Sequence, residues 1–140
     1  MINTVLSIED DKVTQVLNGV HLRTNKFCNT IIEANNGIEA IDFFKKLDGG
    51  EISMESFPEI IFLDLNMPMM DGWDFLEIFK RDFAHFEEKT KIFILSSSIN
   101  PADVERAKKE NNIVAFLEKP LNGENLKKVK SLLVLKRIPK

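Results

Sequence analysis

The chain has 140 residues and a formal net charge of −3, with 44% hydrophobic and 29% charged residues. This length suits one domain with one core, and the balance of residue types is that of a globular protein and not of a disordered one. The charge is spread along the chain, which argues against nucleic acid as a ligand because nucleic-acid-binding proteins usually carry a basic patch.

The amino terminus has neither the basic start nor the long apolar segment of a signal peptide. No apolar run approaches the ~20 residues that a helix needs to cross a bilayer. The single cysteine, Cys28, cannot form an internal disulfide, which suits a reducing compartment. We therefore expect a cytoplasmic protein with no membrane partner.

The first part of the chain alternates short apolar runs with stretches of helical period. Residues 4–8 form an apolar run that Ser7 interrupts, and the sequence offers no function for this serine. Residues 11–25 carry apolar side chains at helical spacing, which predicts a helix; these side chains are Val13, Val16, Leu17 and Val20. A second strand is predicted at 29–34 and a second helix at 37–47.

The alternation continues to the end of the chain. Residues 59–64 are a continuous apolar run with a polar end, as in a strand that is buried on both faces. A helix, a strand, a helix, a strand and a helix then follow, with predicted ranges 72–83, 91–96, 101–111, 113–119 and 123–136. Five strand–helix units predict an α/β fold in which a doubly wound, five-stranded parallel sheet carries helices on both faces.

Polar side chains follow the predicted strands at their carboxyl ends, where open α/β sheets bind ligands. For the strand order 2-1-3-4-5 the winding reverses between the first and third strands, so residues after these two strands come together. The polar residues at this edge are Glu9, Asp10, Asp11, Asp64, Ser96 and Lys119. Their convergence indicates a site more strongly than any one of them does alone.

Carboxylates that gather at one point repel each other unless a cation joins them. Mg²⁺ suits such a site because it accepts one or two carboxylates and leaves room for a phosphate oxygen. Asp64 would then be a nucleophile that accepts a phosphoryl group. Lys119 and the hydroxyl of Ser96 would stabilise charge on the transferred oxygens.

Five segments carry a resemblance to a known family: "IEDD", "EANNGIEA", "LDLNMPMMDGW", "ILSSS" and "FLEKP". In this order and spacing, the sequence resembles the receiver domain of two-component response regulators, of the stand-alone type found in the chemotaxis regulator. The resemblance covers nearly the whole chain. It implies a flavodoxin-like fold and a single receiver domain over residues 1–140.

The resemblance also implies which residues form the phosphorylation site. Asp64 corresponds to the phosphoacceptor and Asp10 to a direct metal ligand, with Glu9 as the outer acid. The backbone carbonyl of Asn66 would be a further Mg²⁺ ligand. The acid pair could instead be Asp10 and Asp11, but in the family the pair directly follows the last apolar residue of the strand, which favours Glu9 and Asp10.

Three further positions match residues that respond to the phosphoryl group in the family. Ser96 corresponds to the switch hydroxyl, and Phe116 stands where a switch tyrosine is frequent. Phe116 has no hydroxyl, so an aromatic switch here would act by packing alone. Lys119 would pair with the phosphoryl group, and its bond to Pro120 is often cis in the family.

The resemblance implies a phosphoacceptor of a His-Asp phosphorelay, which catalyses only its own phosphorylation and dephosphorylation. A sensor histidine kinase or a histidine phosphotransfer protein would be the donor. Phosphorylation would change the face formed by the fourth helix, fifth strand and fifth helix, which an unidentified downstream protein would read.

Two other functions fit parts of the pattern. A phosphatase of the haloacid-dehalogenase type also uses an aspartate nucleophile, but it needs a second aspartate two residues later, where this chain has Asn66. An interaction module that works without phosphorylation is the other alternative. The intact acids, together with Ser96 and Lys119, argue against such a module.

Overall fold

A computed structural model describes residues 2–137, with side chains described as far as residue 134. Strands and helices alternate throughout this range. The strands are β1 (Ile2–Ile8), β2 (Cys28–Ala34), β3 (Ile60–Asp64), β4 (Lys91–Ser96) and β5 (Ile113–Glu118). The helices are α1 (Lys12–Thr24), α2 (Gly37–Asp48), α3 (Gly72–Asp82), α4 (Pro101–Ala107) and α5 (Gly123–Arg137). Short 3₁₀ helices occupy Met54–Ser56 and Ala84–Lys89 in the two longer connections.

The five strands form one parallel sheet in the order β2-β1-β3-β4-β5, which confirms the predicted fold. Ile8 of β1 pairs with Leu63 of β3, so Asp64 lies one residue beyond the last pair of these two strands. Asp64 in turn pairs with Leu95 of β4. This register carries the polar residues that follow β1, β3, β4 and β5 to one edge of the sheet.

Each face of the sheet has its own apolar core. On one face α2 and α3 bury aromatic rings around Phe44, whose centroid lies 4.9 Å from that of Phe79. On the other face the core is formed by α5 with Phe62 of β3 and Phe93 of β4, while α1 contributes only Leu22 to this cluster of buried residues. The sheet that carries the site is therefore held rigidly from both sides.

The helix α1 forms where it is predicted, but the apolar residues that revealed its period face solvent. The exposed fractions of Val13, Val16, Leu17 and Val20 are 67%, 61%, 47% and 43%. At 3.6 residues per turn these four side chains span about 100° of the helix surface. The buried face lies opposite them and consists of Gln15, Asn18, Gly19 and Leu22.

The buried hydroxyl of Ser7 explains this orientation of α1. It donates a hydrogen bond to Oε1 of Gln15 over 2.6 Å, and Nδ2 of Asn18 donates to the Ser7 hydroxyl over 3.4 Å. Nε2 of Gln15 donates to the carbonyls of Ser7 (3.0 Å) and Ala34 (3.1 Å). Since buried polar groups are costly without partners, the polar face of α1 must lie against the sheet.

We expect the substitution Ser7→Ala to lower the free energy of unfolding by about 1–3 kcal/mol, because Oε1 of Gln15 loses its donor in a buried position. Urea denaturation of the two proteins measures the difference. The exposed Ser131→Ala is the matched control and should change stability by no more than ~0.5 kcal/mol. Equal effects of the two substitutions would mean that the Ser7 hydroxyl does not hold α1.

The helix α4 is shorter than predicted, because it ends at Ala107 and the prediction ran to residue 111. The segment Lys108–Asn112 has no apolar side chain, so a further helical turn would gain no packing energy to offset its loss of conformational freedom. Across residues 2–137, no helix is both long enough and apolar enough to cross a membrane.

Candidate functional site

Three carboxylates meet where β1 and β3 end. Glu9, Asp10 and Asp64 each bring an oxygen within 4.8 Å of the others. Glu9 and Asp64 are buried, with exposed fractions of 1% and 4%, while Asp10 keeps contact with solvent. All three belong to the predicted metal-binding set, and oxygen ligands of this kind fit Mg²⁺.

Main-chain hydrogen bonds fix two of these carboxylates. The amide of Glu9 donates to the carbonyl of Ala34 over 3.0 Å, which extends the pairing of β1 and β2 by one residue. Its carboxylate accepts from the amide of Asp11 over 3.1 Å. Oδ1 of Asp64 accepts from the amide of Asn66, also over 3.1 Å. The acids are thus oriented by the backbone that follows each strand.

Asp11 has a different task from its two neighbours. It is the N-cap of α1, and its carboxylate accepts from the amide and the hydroxyl of Thr14 over 2.9 and 2.6 Å. These hydrogen bonds lower the pKa of Asp11. Glu9 and Asp10, and not Asp10 and Asp11, therefore stand beside Asp64, which is the arrangement that the sequence favoured.

Lys119 is the cation of the site. Its Nζ lies 2.8 Å from Oε1 of Glu9 and 3.6 Å from Oδ2 of Asp64. Burial acts to lower the pKa of Lys119, but the contacts with the two carboxylates outweigh it and raise this pKa. The ammonium group therefore stays charged and balances part of the negative charge.

The loop after β5 that carries Lys119 is held by a residue that the sequence analysis missed. The amide of Lys119 donates to the carbonyl of Ser96 over 2.8 Å, and the bond between Lys119 and Pro120 is cis. Nδ2 of the buried Asn125 donates to the carbonyls of Glu118 and Pro120, each over 2.7 Å. Asn125 is thus a positioning residue, and only its place early in a helix that directly follows the loop could have indicated it.

Burial is the main reason that the pKa of Asp64 rises from 3.8 to about 7. The hydrogen bond from Asn66 and the charge of Lys119 act in the opposite direction, while the negative charge of Glu9 raises the pKa further. A cation beside Asp64 would favour the ionised carboxylate and lower this pKa.

The remaining predicted residues lie around this centre. Ser96 is buried, and its hydroxyl donates to the carbonyl of Ser98 over 2.7 Å. Phe116, which pairs with Ile94, is half-buried and lines a groove between β5 and α5. The backbone of Asn66 is next to Asp64, and its side chain is exposed.

Asp71 and Gly72, the Asp-Gly pair in "NMPMMDGW", have different structural roles. A Cβ on Gly72 would lie 2.7 Å from the Leu65 side chain and 2.9 Å from the carbonyl of Asp64, so no other residue fits without a shift. Asp71 caps α3 by accepting from the amide of Asp74 over 2.8 Å. The loop after Asp64 is therefore closed tightly, and its backbone stays close to Asp64.

Trp73 connects the start of α3 to α4. Its indole Nε1 donates to Oδ1 of Asp103 over 3.0 Å, and the guanidinium of Arg106 lies 4.3 Å from the centre of the indole ring. Arg106 also lies 3.5 Å from Glu77 of α3. Trp73 is thus directly linked to the helix that follows the loop after Ser96.

Residues 5–130 match the family model of the response regulator receiver domain. The probable methanogenesis regulatory protein FilR2 of Methanothrix harundinacea is 28% identical over 124 residues, which are 89% of this chain and 76% of that protein. Response regulator Rcp1 of Synechocystis is 29% identical over 125 residues, which are 89% of this chain and 82% of that protein.

Solved structures give the same result. A two component response regulator from Cytophaga hutchinsonii aligns with a TM-score of 0.84 and 29% identity, covering 95% of this chain and 98% of that one. The similarity therefore extends over the whole sheet and its helices.

Proposed function

The chain belongs to the family of response regulator receiver domains, and from this premise we propose that Asp64 accepts a phosphoryl group with Mg²⁺ bound beside it. The observation that carries the proposal is the meeting of Glu9, Asp10 and Asp64 with the ammonium of Lys119 at one edge of the sheet. Residues 1–140 would act as one receiver domain. Family membership favours this function over the phosphatase and over the phosphorylation-independent module.

Mg²⁺ would be held by the carboxylates of Asp10 and Asp64 and by the backbone carbonyl of Asn66, with Glu9 as the outer acid. The set fits the ion because three carboxylates lie within 4.8 Å of one another, and among the residues whose side chains the structure describes only Lys119 brings an ammonium group to them. When bound, the ion supplies positive charge that neutralises the carboxylates and the phosphoryl oxygens.

The residues of the chain perform the transfer itself. An oxygen of Asp64 attacks phosphorus, the bond from phosphorus to the donor breaks, and an acyl phosphate forms. Lys119, already 3.6 Å from Asp64, pairs with a phosphoryl oxygen as the charge develops. The domain in this view catalyses only its own phosphorylation and dephosphorylation, and a histidine kinase or a histidine phosphotransfer protein supplies the phosphoryl group.

The signal would leave the site through Ser96 and Phe116. The hydroxyl of Ser96 exchanges its bond to the carbonyl of Ser98 for one to a phosphoryl oxygen, which moves the loop before α4. Phe116 then repacks in the groove that it lines with Ile99 and Leu132, at the α4–β5–α5 face. A downstream protein reads this change as a shift between two states of the domain.

The proposal is tested by incubating the protein with acetyl phosphate and Mg²⁺ and measuring its intact mass. One phosphoryl adduct is expected, sensitive to hydroxylamine as an acyl phosphate is, and peptide mapping should locate it on Asp64. No adduct, or an adduct on another residue, would refute the assignment. Omission of Mg²⁺ should suppress the reaction, because Asp64 then retains its proton near neutral pH.

Trp73 offers a direct measurement of Mg²⁺ binding, because it is the only tryptophan and the chain has no tyrosine. It opens the helix behind the loop that carries Asn66. We expect its emission to change saturably with Mg²⁺, since binding draws this loop toward Asp10 and Asp64. The change should weaken in Asp10→Asn, which lacks a carboxylate ligand.

Asp11→Asn is the matched control for Asp10→Asn. Asparagine caps a helix about as well as aspartate, so α1 stays intact. Its emission should respond to Mg²⁺ as in the parent protein. If instead Asp11→Asn abolishes the response and Asp10→Asn retains it, the acid pair is Asp10 and Asp11.

A further inference from the structure

The helix α4 contributes nothing to the apolar cores of the domain. No residue of α4, which the structure describes in full, belongs to either core, and only Ala107 of this helix is buried. The loop that leads from Ser96 into α4, residues 97–100, is exposed at every position. Apolar burial is the main force that holds helices to a sheet, so other contacts must hold α4.

Polar contacts with α3 supply this attachment. Among the described side chains, every hydrogen bond or ion pair that a side chain of residues 101–110 makes outside this segment ends on α3. Nε1 of Trp73 donates to Oδ1 of Asp103 over 3.0 Å. The guanidinium of Arg106 lies 4.3 Å from the centre of the indole ring and 3.5 Å from Oε1 of Glu77. The position of α4 therefore depends on α3.

We propose that Trp73 and Asp103 form a latch that holds the domain in its unphosphorylated state and sets how readily it adopts the phosphorylated one. We name these two residues the α3–α4 latch. The inference rests on the proposed function, and it adds the contact that determines the balance between the two states.

The hydrogen bond between Trp73 and Asp103 is the strongest of the contacts between α3 and α4. It is partly buried and its acceptor is a carboxylate, and hydrogen bonds to charged acceptors are stronger than neutral ones. Arg106 and Glu77 are 49% and 73% exposed, and exposed ion pairs contribute little. The stacking of Arg106 on the indole strengthens the same contact. Loss of the indole hydrogen bond should therefore free α4 more than any other single change.

The α3–α4 latch joins the two loops that flank the phosphoacceptor. A Cβ on Gly72 would lie 2.9 Å from the carbonyl of Asp64, so the start of α3 is packed closely against Asp64 and holds Trp73 there. Asp103 lies in the first turn of α4, directly after the exposed loop from Ser96. The latch thus connects the loop after β3 with the loop after β4.

The response to phosphorylation would move one side of the latch against the other. The hydroxyl of Ser96 has one proton, which it donates to the carbonyl of Ser98 over 2.7 Å, so this bond must break before the hydroxyl can donate to a phosphoryl oxygen. The loop that then moves leads directly into α4, which displaces Asp103 while Trp73 stays beside Asp64. Hydrogen bonds weaken steeply when they are stretched or misaligned. The latch therefore favours the unphosphorylated state, and its loss shifts the population toward the other.

Removal of either latch residue should make the domain easier to activate. The apparent affinity for a ligand of a minor state rises with the population of that state. We expect Asp103→Ala and Trp73→Phe each to lower the dissociation constant of beryllofluoride at saturating Mg²⁺ about tenfold, as for the loss of one hydrogen bond to a charged group. A titration followed by backbone amide chemical shifts measures this constant in every variant.

Glu105→Ala is the matched control. It removes a carboxylate from the same helix, but Glu105 pairs with Lys108, 2.8 Å away, and not with α3. Its affinity for beryllofluoride should equal that of the parent protein. Trp73→Phe keeps an aromatic ring against the core and leaves α4 unaltered, so an effect that it shares with Asp103→Ala cannot come from a weakened α4. The double variant should bind as tightly as either single variant, because all three lack the same hydrogen bond.

The indole N–H resonance reports the latch directly, because Trp73 is the only tryptophan. In the parent protein, beryllofluoride should shift this resonance toward its position in Asp103→Ala. In Asp103→Ala the same addition should move the indole resonance far less, while the backbone amides still shift.

Unchanged or weaker binding of beryllofluoride by the single variants would overturn the proposal, because the latch would then not oppose activation. So would additive gains in the double variant or an equal gain in Glu105→Ala, since the hydrogen bond would not be the cause. An indole resonance that stays in place while beryllofluoride shifts the backbone amides would mean that the contact survives in both states. If beryllofluoride shifts no amide and acetyl phosphate does not label the parent protein, the proposed function fails instead.

Discussion

The Asp64→Asn variant is expected to take up no phosphoryl group from acetyl phosphate, while it folds as the parent protein does. The amide has nearly the shape of the carboxylate and can still accept the hydrogen bond from Asn66, but it is a poor nucleophile. Intact-mass measurement after treatment with acetyl phosphate and Mg²⁺ decides the result. An adduct of undiminished yield would show that another residue is the phosphoacceptor.

The same substitution should also raise the stability of the metal-free protein. The pKa of Asp64 is about 7 in the folded protein, against 3.8 as its ordinary value. Between roughly pH 4 and pH 7 the folded protein therefore holds a proton that the unfolded chain has released, and the parent loses stability as the pH rises through this window. Asp64→Asn does not lose stability in this way. The free energy of unfolding of the variant should therefore exceed that of the parent by an amount that grows from pH 4 to pH 7, reaches at most about 4 kcal/mol, and stays constant above pH 7.

Urea denaturation at pH 4, 5.5 and 8, without Mg²⁺, measures this advantage. The exposed Asp42→Asn is the matched control, and it should change the free energy of unfolding by no more than ~0.5 kcal/mol at any of these pH values. Mg²⁺ should stabilise the parent protein more at pH 8 than at pH 5.5, because protons and the cation compete for Asp64. An advantage that shrinks as the pH rises would contradict the raised pKa.

Lys119→Ala is the second substitution with a large expected effect. It leaves the carboxylate of Glu9, which is 1% exposed, without the ammonium group that lies 2.8 Å from it. Breaking a buried ion pair in this way costs about 3–5 kcal/mol, so the metal-free variant should melt cooperatively at a lower temperature than the parent protein. Mg²⁺ should recover part of the loss, since it places positive charge beside the same acids.

Lys119→Ala should fail to respond to phosphorylation even where Mg²⁺ restores its stability. Beryllofluoride imitates a phosphoryl group on Asp64, and in the parent protein it should shift the amide resonances of the α4–β5–α5 face. In Lys119→Ala the ammonium group that would pair with the bound group is absent, so these shifts should be lost. The exposed Lys109→Ala should retain both the stability and the shifts. If Lys119→Ala and Lys109→Ala had equal stability and equal amide shifts, Lys119 would have no special role in the response to phosphorylation.

The sequence determined the order of the elements and the edge at which the site forms. Parallel strands that alternate with helices must present their carboxyl ends together, so Asp10, Asp64 and Lys119 could be assigned to one place from their positions after β1, β3 and β5 alone. The short-range signals were equally informative. Residues 72–83 were predicted to form a helix, and the structure has the helix α3 at Gly72–Asp82.

Only the tertiary structure decided which face of α1 is buried and which of the acids Glu9, Asp10 and Asp11 lie beside Asp64. Helical period locates an apolar stripe but does not say which way it faces, and here the buried hydroxyl of Ser7 draws Gln15 inward and leaves Val16 in solvent. The family pattern favoured Glu9 and Asp10 over Asp11 as the acid pair, but only the structure shows that the carboxylate of Asp11 is bonded to Thr14 instead. Hydrogen bonding and burial depend on groups brought together from distant parts of the chain, and a pattern of neighbouring residues does not contain them.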